Sequence, residues 1–274
     1  MNKRFILVND PDHGTLERLK NVFNALNDNN ILITTAVFCT LEEDDSNLSK
    51  HCYRGETGAL DEPEYKEFML EQKERGHEIA FHGYSQISNT REKFQKGLET
   101  YKEIFGEYPF TYIEHGGHPH NHPPGGCKKE RLDWFGSDEN SKYYIKDIVE
   151  DKISCIWAKF DLLDGPGQWR GKNSNLVPKR DSELFYKEGS LLHFKRWRSY
   201  YFESMFSTIS LAKQTTFIAY THFGYDGYAK RYPIDNWTTA DNCKHAAEKI
   251  RNMIDSASLE NKTLKEHILD RNLI

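Results

Sequence analysis

The sequence has no long apolar run. Stretches such as Ile31–Leu32–Ile33 fall far short of the roughly 20 residues a membrane-spanning helix needs. Cysteine is scarce: the five residues Cys39, Cys52, Cys127, Cys155 and Cys243 are scattered and include no CxxC pair. That excludes a cysteine-rich zinc site and a disulfide framework, and leaves the thiols as small core residues. An excess of positive charge is also missing, with 37 Lys plus Arg against 42 Asp plus Glu and a net charge of −5. No broad nucleic-acid footprint is expected on such a chain. After Met1–Arg4 only Phe5–Val8 are apolar before polar residues resume. This is shorter than the roughly 7–15 residues of a secretory signal, so a cytoplasmic address is expected.

What the chain does have is aromatic residues, 16 Phe, 15 Tyr and 5 Trp, enough to build a core despite a 29% charged content. No repeat, low-complexity tract or linker divides it, so residues 1–274 are expected to form one domain, a size usual for an α/β barrel. Short apolar segments alternate with amphipathic ones. Strands are expected at Phe5–Val8, Ile31–Phe38, Glu78–Phe81, Phe110–Ile113, Ile153–Phe160, Ser190–Phe194 and Thr215–Thr221. Helices are expected from about Thr15 to Asn27, from Glu64 to Arg75 with Gly76 as C-cap, and around Phe94–Phe105. A last helix carries Ala246, Ile250, Met253, Ile254 and Ala257 on one face. This rhythm implies a parallel sheet with helices outside it.

Four clusters of ionisable residues follow predicted strands, where parallel α/β folds carry their active sites. They are Asn9-Asp10-Pro11-Asp12-His13, His82-Gly-Tyr-Ser-Gln86, Glu114-His115-Gly-Gly-His118-Pro-His120-Asn-His122 and Thr221-His222-Phe-Gly-Tyr225. Histidine combined with carboxylate suits a catalytic divalent ion with three protein ligands and an open position. Such an ion makes hydrolysis accessible at neutral pH, with a second carboxylate as base and a separate histidine as acid. Each cluster also has a plainer reading. Asp10 and Asp12 can form an Asx turn around Pro11, His82 and His222 can be satisfied structural histidines, and His118–Pro123 can be a Pro-braced loop shaping a cleft. Trp169 and Arg170, in the Gly-rich stretch 164–172, can stack on a sugar ring and hold an anionic group, or anchor the core.

At these residues the chain resembles the polysaccharide deacetylases, the NodB-like carbohydrate esterases of family 4. The segment Gly76-His77-Glu78-Ile79-Ala80-Phe81-His82-Gly83-Tyr84-Ser85 carries the most specific match. The resemblance implies an irregular (β/α)7-type barrel. It makes Asp10 the general base and Asp12 a metal ligand, with exchange of these roles open, His82 a metal ligand and His222 the general acid. Two positions depart from the family pattern. Gln86 stands where a second metal histidine belongs, and Glu114-His115-Gly116-Gly117 replaces an Arg-containing motif. Gln86 can offer a carbonyl oxygen, a poorer ligand than imidazole, so His115 is expected to complete an Asp12, His82, His115 site, with completion by Gln86 left open. Gln86, His118, Trp169 and Arg170 are the expected substrate contacts. The implied cofactor is a divalent ion, Zn2+ foremost, with Co2+, Ni2+ or Fe2+ as alternatives.

The activity implied is metal-dependent removal of an acetyl group from an N-acetylated sugar or sugar-containing precursor. The expected partner is a small molecule or oligosaccharide, with no nucleic acid and no membrane span. Two other readings stand beside it: a C–N hydrolase acting on a non-sugar amide, and a barrel without catalysis that binds sugar.

Overall fold

A computed structural model describes residues 3–10, 14–41, 57–114, 129–132, 134–157, 184–194, 216–223 and 237–274. Strand β1 (Arg4–Asn9) leads through helix α1 (Leu16–Asp28) to β2 (Thr34–Phe38). Helix α2 (Pro63–Glu74), β3 (Glu78–Gly83), α3 (Arg91–Phe105) and β4 (Thr111–Tyr112) continue the alternation. Then come α4 (Lys146–Lys152), β5 (Cys155–Trp157), the hairpin of β6 (Phe185–Glu188) and β7 (Leu191–Phe194), and β8 (Thr216–Thr221). Helix α5 (Ala240–Ser256), β9 (Glu260–Asn261) and α6 (Leu264–Asp270) end the chain.

Local chemistry sets these boundaries. Thr15, Thr90, Thr239 and Thr263 each accept a backbone N–H at a helix start, the usual N-cap arrangement. At Thr263 the capping is reciprocal, since the Glu266 carboxylate accepts from the Thr263 N–H at 2.9 Å. Gly106 ends α3 in the left-handed conformation at φ +80°, which a residue without Cβ adopts freely.

The strands form one sheet in the order β6-β7-β5-β4-β3-β2-β1-β8, with β9 also beside β1. All pairings are parallel except β6 with β7. One mostly parallel sheet with helices between successive strands agrees with the α/β class expected from the sequence. Alternation along the strands sorts the core into two layers. Phe5, Leu7, Phe81, Phe217 and Ala219 face the helices, whereas Ile6, Val8, Ala36, Ala80, Ile113 and Ile218 face inward with Leu264 and Ile268 of α6. Cys39, Cys155 and Cys243 are buried, as small core residues should be. Among the described residues no helix is long and apolar enough to cross a membrane.

Several features differ from the sequence reading, among them β2, which begins at Thr34 rather than Ile31, and the unexpected α4 and β9. The Ala246–Ala257 helix is followed by α6, and the strand at Leu191–Phe194 is the second arm of a hairpin begun by β6. The expected strand at Ile153–Phe160 runs over Cys155–Trp157, and residues 158–160 lie outside the described set. At the N-terminal end of the sheet the buried Glu78 joins β2, β3, β4 and α6. It accepts from Thr34 Oγ1 (2.8 Å), Thr111 Oγ1 (2.6 Å) and the Lys265 N–H (2.8 Å).

His77, just before β3, is a neutral buried link between α1 and β2. Its Nδ1 accepts the Ile33 N–H at 3.2 Å, so Nε2 carries the proton, donated to Asn27 Oδ1 at 2.9 Å. Burial, with Arg75 nearby, pushes the imidazole down to about 4 from its ordinary 6.5. The folded form therefore resists a proton that the unfolded chain accepts. The resulting stability is complete above pH 6.5 and is lost as pH falls toward 4. A shift of this size corresponds to about 3 kcal/mol. Urea denaturation between pH 4 and 7 should show a shallower loss of stability in His77→Gln than in the unsubstituted protein; equal slopes would contradict this assignment.

Candidate active site

The inward face of the sheet is apolar along the strands and becomes ionisable at their C-terminal ends. Asp10 follows Val8 by two residues and His82 follows Ala80 by two, so both continue the inward register. His222 continues the register of Ile218 in the same way. The Asp10 N–H donates to the Thr221 carbonyl at 2.9 Å, extending the β1–β8 ladder one step beyond the strands. Asp10 thereby stands between two imidazoles: Oδ1 is 3.0 Å from His82 Nε2, and Oδ2 is 3.3 Å from His222 Nε2.

The protonation pattern at His82 follows from one contact. Its Nδ1 lies 2.6 Å from the Ile113 carbonyl, which can only accept, so Nδ1 carries a proton. Nε2 then faces the Asp10 carboxylate, and two acceptors at 3.0 Å need either a second ring proton or a cation near them. A backbone carbonyl fixing one ring nitrogen while the other points into a site is the usual arrangement of a metal-bound histidine. His82 thus fits as a donor to a divalent ion, with the Asp10 carboxylate beside it. Among the described residues no group of three or more His, Cys, Asp or Glu side chains forms a metal cluster. The Phe38 ring packs on the His82 ring with centroids 4.7 Å apart and helps fix its plane.

Burial alone would raise the Asp10 carboxyl. The positive character of His82 and His222 and their hydrogen bonds outweigh it and hold the group well below the usual carboxylate range. Exposure separates the two histidines. The His82 side chain is fully buried, whereas 12% of the His222 side chain is open to solvent. His222 is therefore the one of the pair that an incoming group can meet.

The structure brings together Asp10, His82 and His222 of the residues expected from the sequence. Gln86 is buried in the loop after β3. Asp12, His115, His118, Trp169 and Arg170 lie outside the described residues. Glu114, next to the expected ligand His115, is occupied elsewhere, accepting from the Leu132 N–H at 2.8 Å with Arg131 at 3.9 Å. One contributor had not been assigned a role from sequence. Asn9 lies on the helix side directly behind Asp10, where its Oδ1 accepts from the Phe223 N–H (2.9 Å) and its Nδ2 donates to Thr35 Oγ1 (2.9 Å). It ties β1 to β2 and to the residue after His222. An asparagine ending an otherwise apolar strand was the available signal.

Removing this clamp should cost more than one ordinary hydrogen bond, because Asn9→Ala strands a buried backbone N–H. A loss of about 2–3 kcal/mol in urea denaturation is expected. Thr35→Val, which leaves the Phe223 bond intact, should lose less; the reverse order would show that Asn9 does not hold β8.

No family profile matches the chain. No curated protein sequence matches it either. Among solved structures it is similar to the polysaccharide deacetylase Bc1974 from Bacillus cereus, with 13% identity and a TM-score of 0.46 over 96% of this chain and 92% of that one. It is also similar to the Puue allantoinase, with 12% identity and a TM-score of 0.47 over 95% and 85% of the two chains. A third likeness is to a mutant of BA3943, described as a CE4 family pseudoenzyme with restored enzymatic activity. There the identity is 11% and the TM-score 0.44, over 97% of this chain and 67% of that one.

Proposed function

We propose that this chain is a metal-dependent hydrolase, a single catalytic unit over residues 1–274, that removes the acetyl group from an N-acetylated sugar. The observation that carries the reading is the Asp10 carboxylate held between His82 Nε2 and His222 Nε2 at the inward strand ends. His82 would hold a divalent ion, Zn2+ foremost, together with Asp12 and His115, which lie outside the described residues. Such an ion, when bound, acidifies a water and polarises the acetyl carbonyl.

Asp10, kept ionised by its neighbours, accepts a proton from the attacking water. His222, the more exposed partner, gives a proton from Nε2 to the amine nitrogen as the C–N bond breaks. The products are acetate and a free amine. The 3.3 Å separation of Asp10 Oδ2 and His222 Nε2 lets the proton taken up by the carboxylate return to the imidazole, so both groups regain their starting states. The Ile113 carbonyl holds His82 through Nδ1 and so directs Nε2 toward Asp10 Oδ1 and the place of the ion.

Acetate release from N-acetylglucosamine oligomers by metal-loaded protein tests the reading. Asp10→Asn and His222→Gln should each lower the rate by about 10²–10⁴, the range for losing one positioned acid or base. Retention of activity within ten-fold by either variant would overturn its assigned role. His82→Ala should lose bound metal measured by mass spectrometry while remaining folded by circular dichroism.

A further inference from the structure

The loop that carries the chain away from β3 is held from several sides. Asn89 Oδ1 accepts from the Tyr84 N–H (2.9 Å) and the Ser85 N–H (3.4 Å), and Asn89 Nδ2 donates to Ser85 Oγ (3.0 Å) and the Ile87 carbonyl (2.9 Å). The Cys39 and Thr40 N–H groups donate to the Tyr84 carbonyl at 3.1 and 2.9 Å, fastening the loop to the end of β2. Lys129 donates its N–H to Ser88 Oγ at 3.1 Å. Gln86 is the exception in this otherwise paired segment. It is only 4% exposed, yet neither its Oε1 nor its Nε2 meets a hydrogen-bond partner among the described residues. It lies four residues beyond His82, in the same strand-end loop.

A buried carboxamide without partners is destabilising, and native proteins keep few of them. An apolar side chain of similar volume would fill the same space without that penalty. Both polar atoms of Gln86 are closed off from solvent and meet no protein donor or acceptor among the described residues, so their hydrogen-bonding capacity is unused in the free protein.

We infer that the Gln86 carboxamide is a specificity-determining group that takes a ligand edge bearing an N–H donor beside an oxygen acceptor. The 2-acetamido N–H and neighbouring 3-hydroxyl of an N-acetylhexosamine form such an edge. This assignment rests on the deacetylase reading above and adds to it the part of the sugar that is recognised. Oε1 accepts the amide N–H, and one Nε2–H is donated to the hydroxyl oxygen. A secondary amide is trans, so its C=O points opposite to its N–H. With the N–H held by Gln86, the acetyl carbonyl is directed away from it and stays open to the reacting groups. A urea or primary amide instead offers N–H and C=O on one edge, so Gln86 would capture the carbonyl itself.

The test uses full-length metal-loaded protein labelled with 15N-glutamine, the Gln86 side-chain signal being assigned by its loss in Gln86→Met. N-acetylglucosamine, glucose and urea are titrated separately. N-acetylglucosamine should move the Gln86 signal, and Gln86→Met should weaken its binding by roughly ten- to hundred-fold. The same variant should melt a few degrees higher than the unsubstituted protein, because it removes an unpaired buried group. Gln86→Leu repeats the measurement should the methionine variant fail to fold.

A lower melting temperature in both variants would show the carboxamide paired in the free protein and would overturn the inference. Unchanged N-acetylglucosamine affinity in a folded variant would overturn it too, as would movement of the signal by urea or glucose but not by N-acetylglucosamine. If acetate release is lost in Asp10→Asn yet unchanged in Gln86→Met, the deacetylase reading stands and this inference falls. If N-acetylglucosamine binds through Gln86 but no acetate appears, the reverse holds.

Discussion

The six-residue parallel pairing of β1 with β8, from Arg4 with Thr216 to Asn9 with Thr221, is the constraint on which the candidate site depends. Asp10 and His222 are brought within 3.3 Å by that register alone. A slip of one residue would turn every β8 side chain to the opposite face and send the His222 ring toward the helices. Asn9 secures the register from behind through β2 and Phe223, and the Asp10 N–H secures it at the tip through Thr221.

Two faces of one sheet separate stability from chemistry. The helix side buries a continuous set of aromatic and aliphatic residues. The inward side is apolar along its length, polar at Glu78 on one end and ionisable at Asp10, His82 and His222 on the other. Both ends use the same physical device, a buried carboxylate satisfied by several donors, with opposite electrostatic outcomes. At Glu78 burial dominates and the carboxyl is raised, although two hydroxyls and a backbone amide donate to it. At Asp10 two imidazoles add positive charge, and the carboxyl is lowered instead.

Much of this was legible in the sequence because strands β1 to β4 and their helices follow one another in both chain and space. Phe5–Val8, Glu78–Phe81 and Thr215–Thr221 announced themselves by apolar or β-branched composition, and α1 and α3 by the helical spacing of their apolar residues. His82 and His222 stood out as histidines closing such strands. The β6–β7 hairpin was harder to see, since three of the four β6 residues, Tyr186 to Glu188, are exposed and carry no apolar alternation. Helix α6 is too short, at seven residues, for periodicity to reveal; only its Thr263 and Glu266 capping box marks it. Asn9 and Gln86 illustrate a further limit. Their meaning lies in which partners they do or do not meet, and that depends on residues far away in the chain.

Strand β1 is also bordered by β9, where Asn261 Nδ2 donates to the carbonyls of Phe5 and Leu32, and the Arg4 guanidinium reaches Glu260 and Asp270. The first strand is therefore completed by segments from the far end of the chain. Closing so long an intervening loop is entropically slow. During synthesis β1 would emerge long before the strand that positions His222, with its backbone edge exposed in the meantime. The two groups of the candidate acid–base pair would then meet only in a late step of folding, so partly folded chains carry the βα units without a working centre.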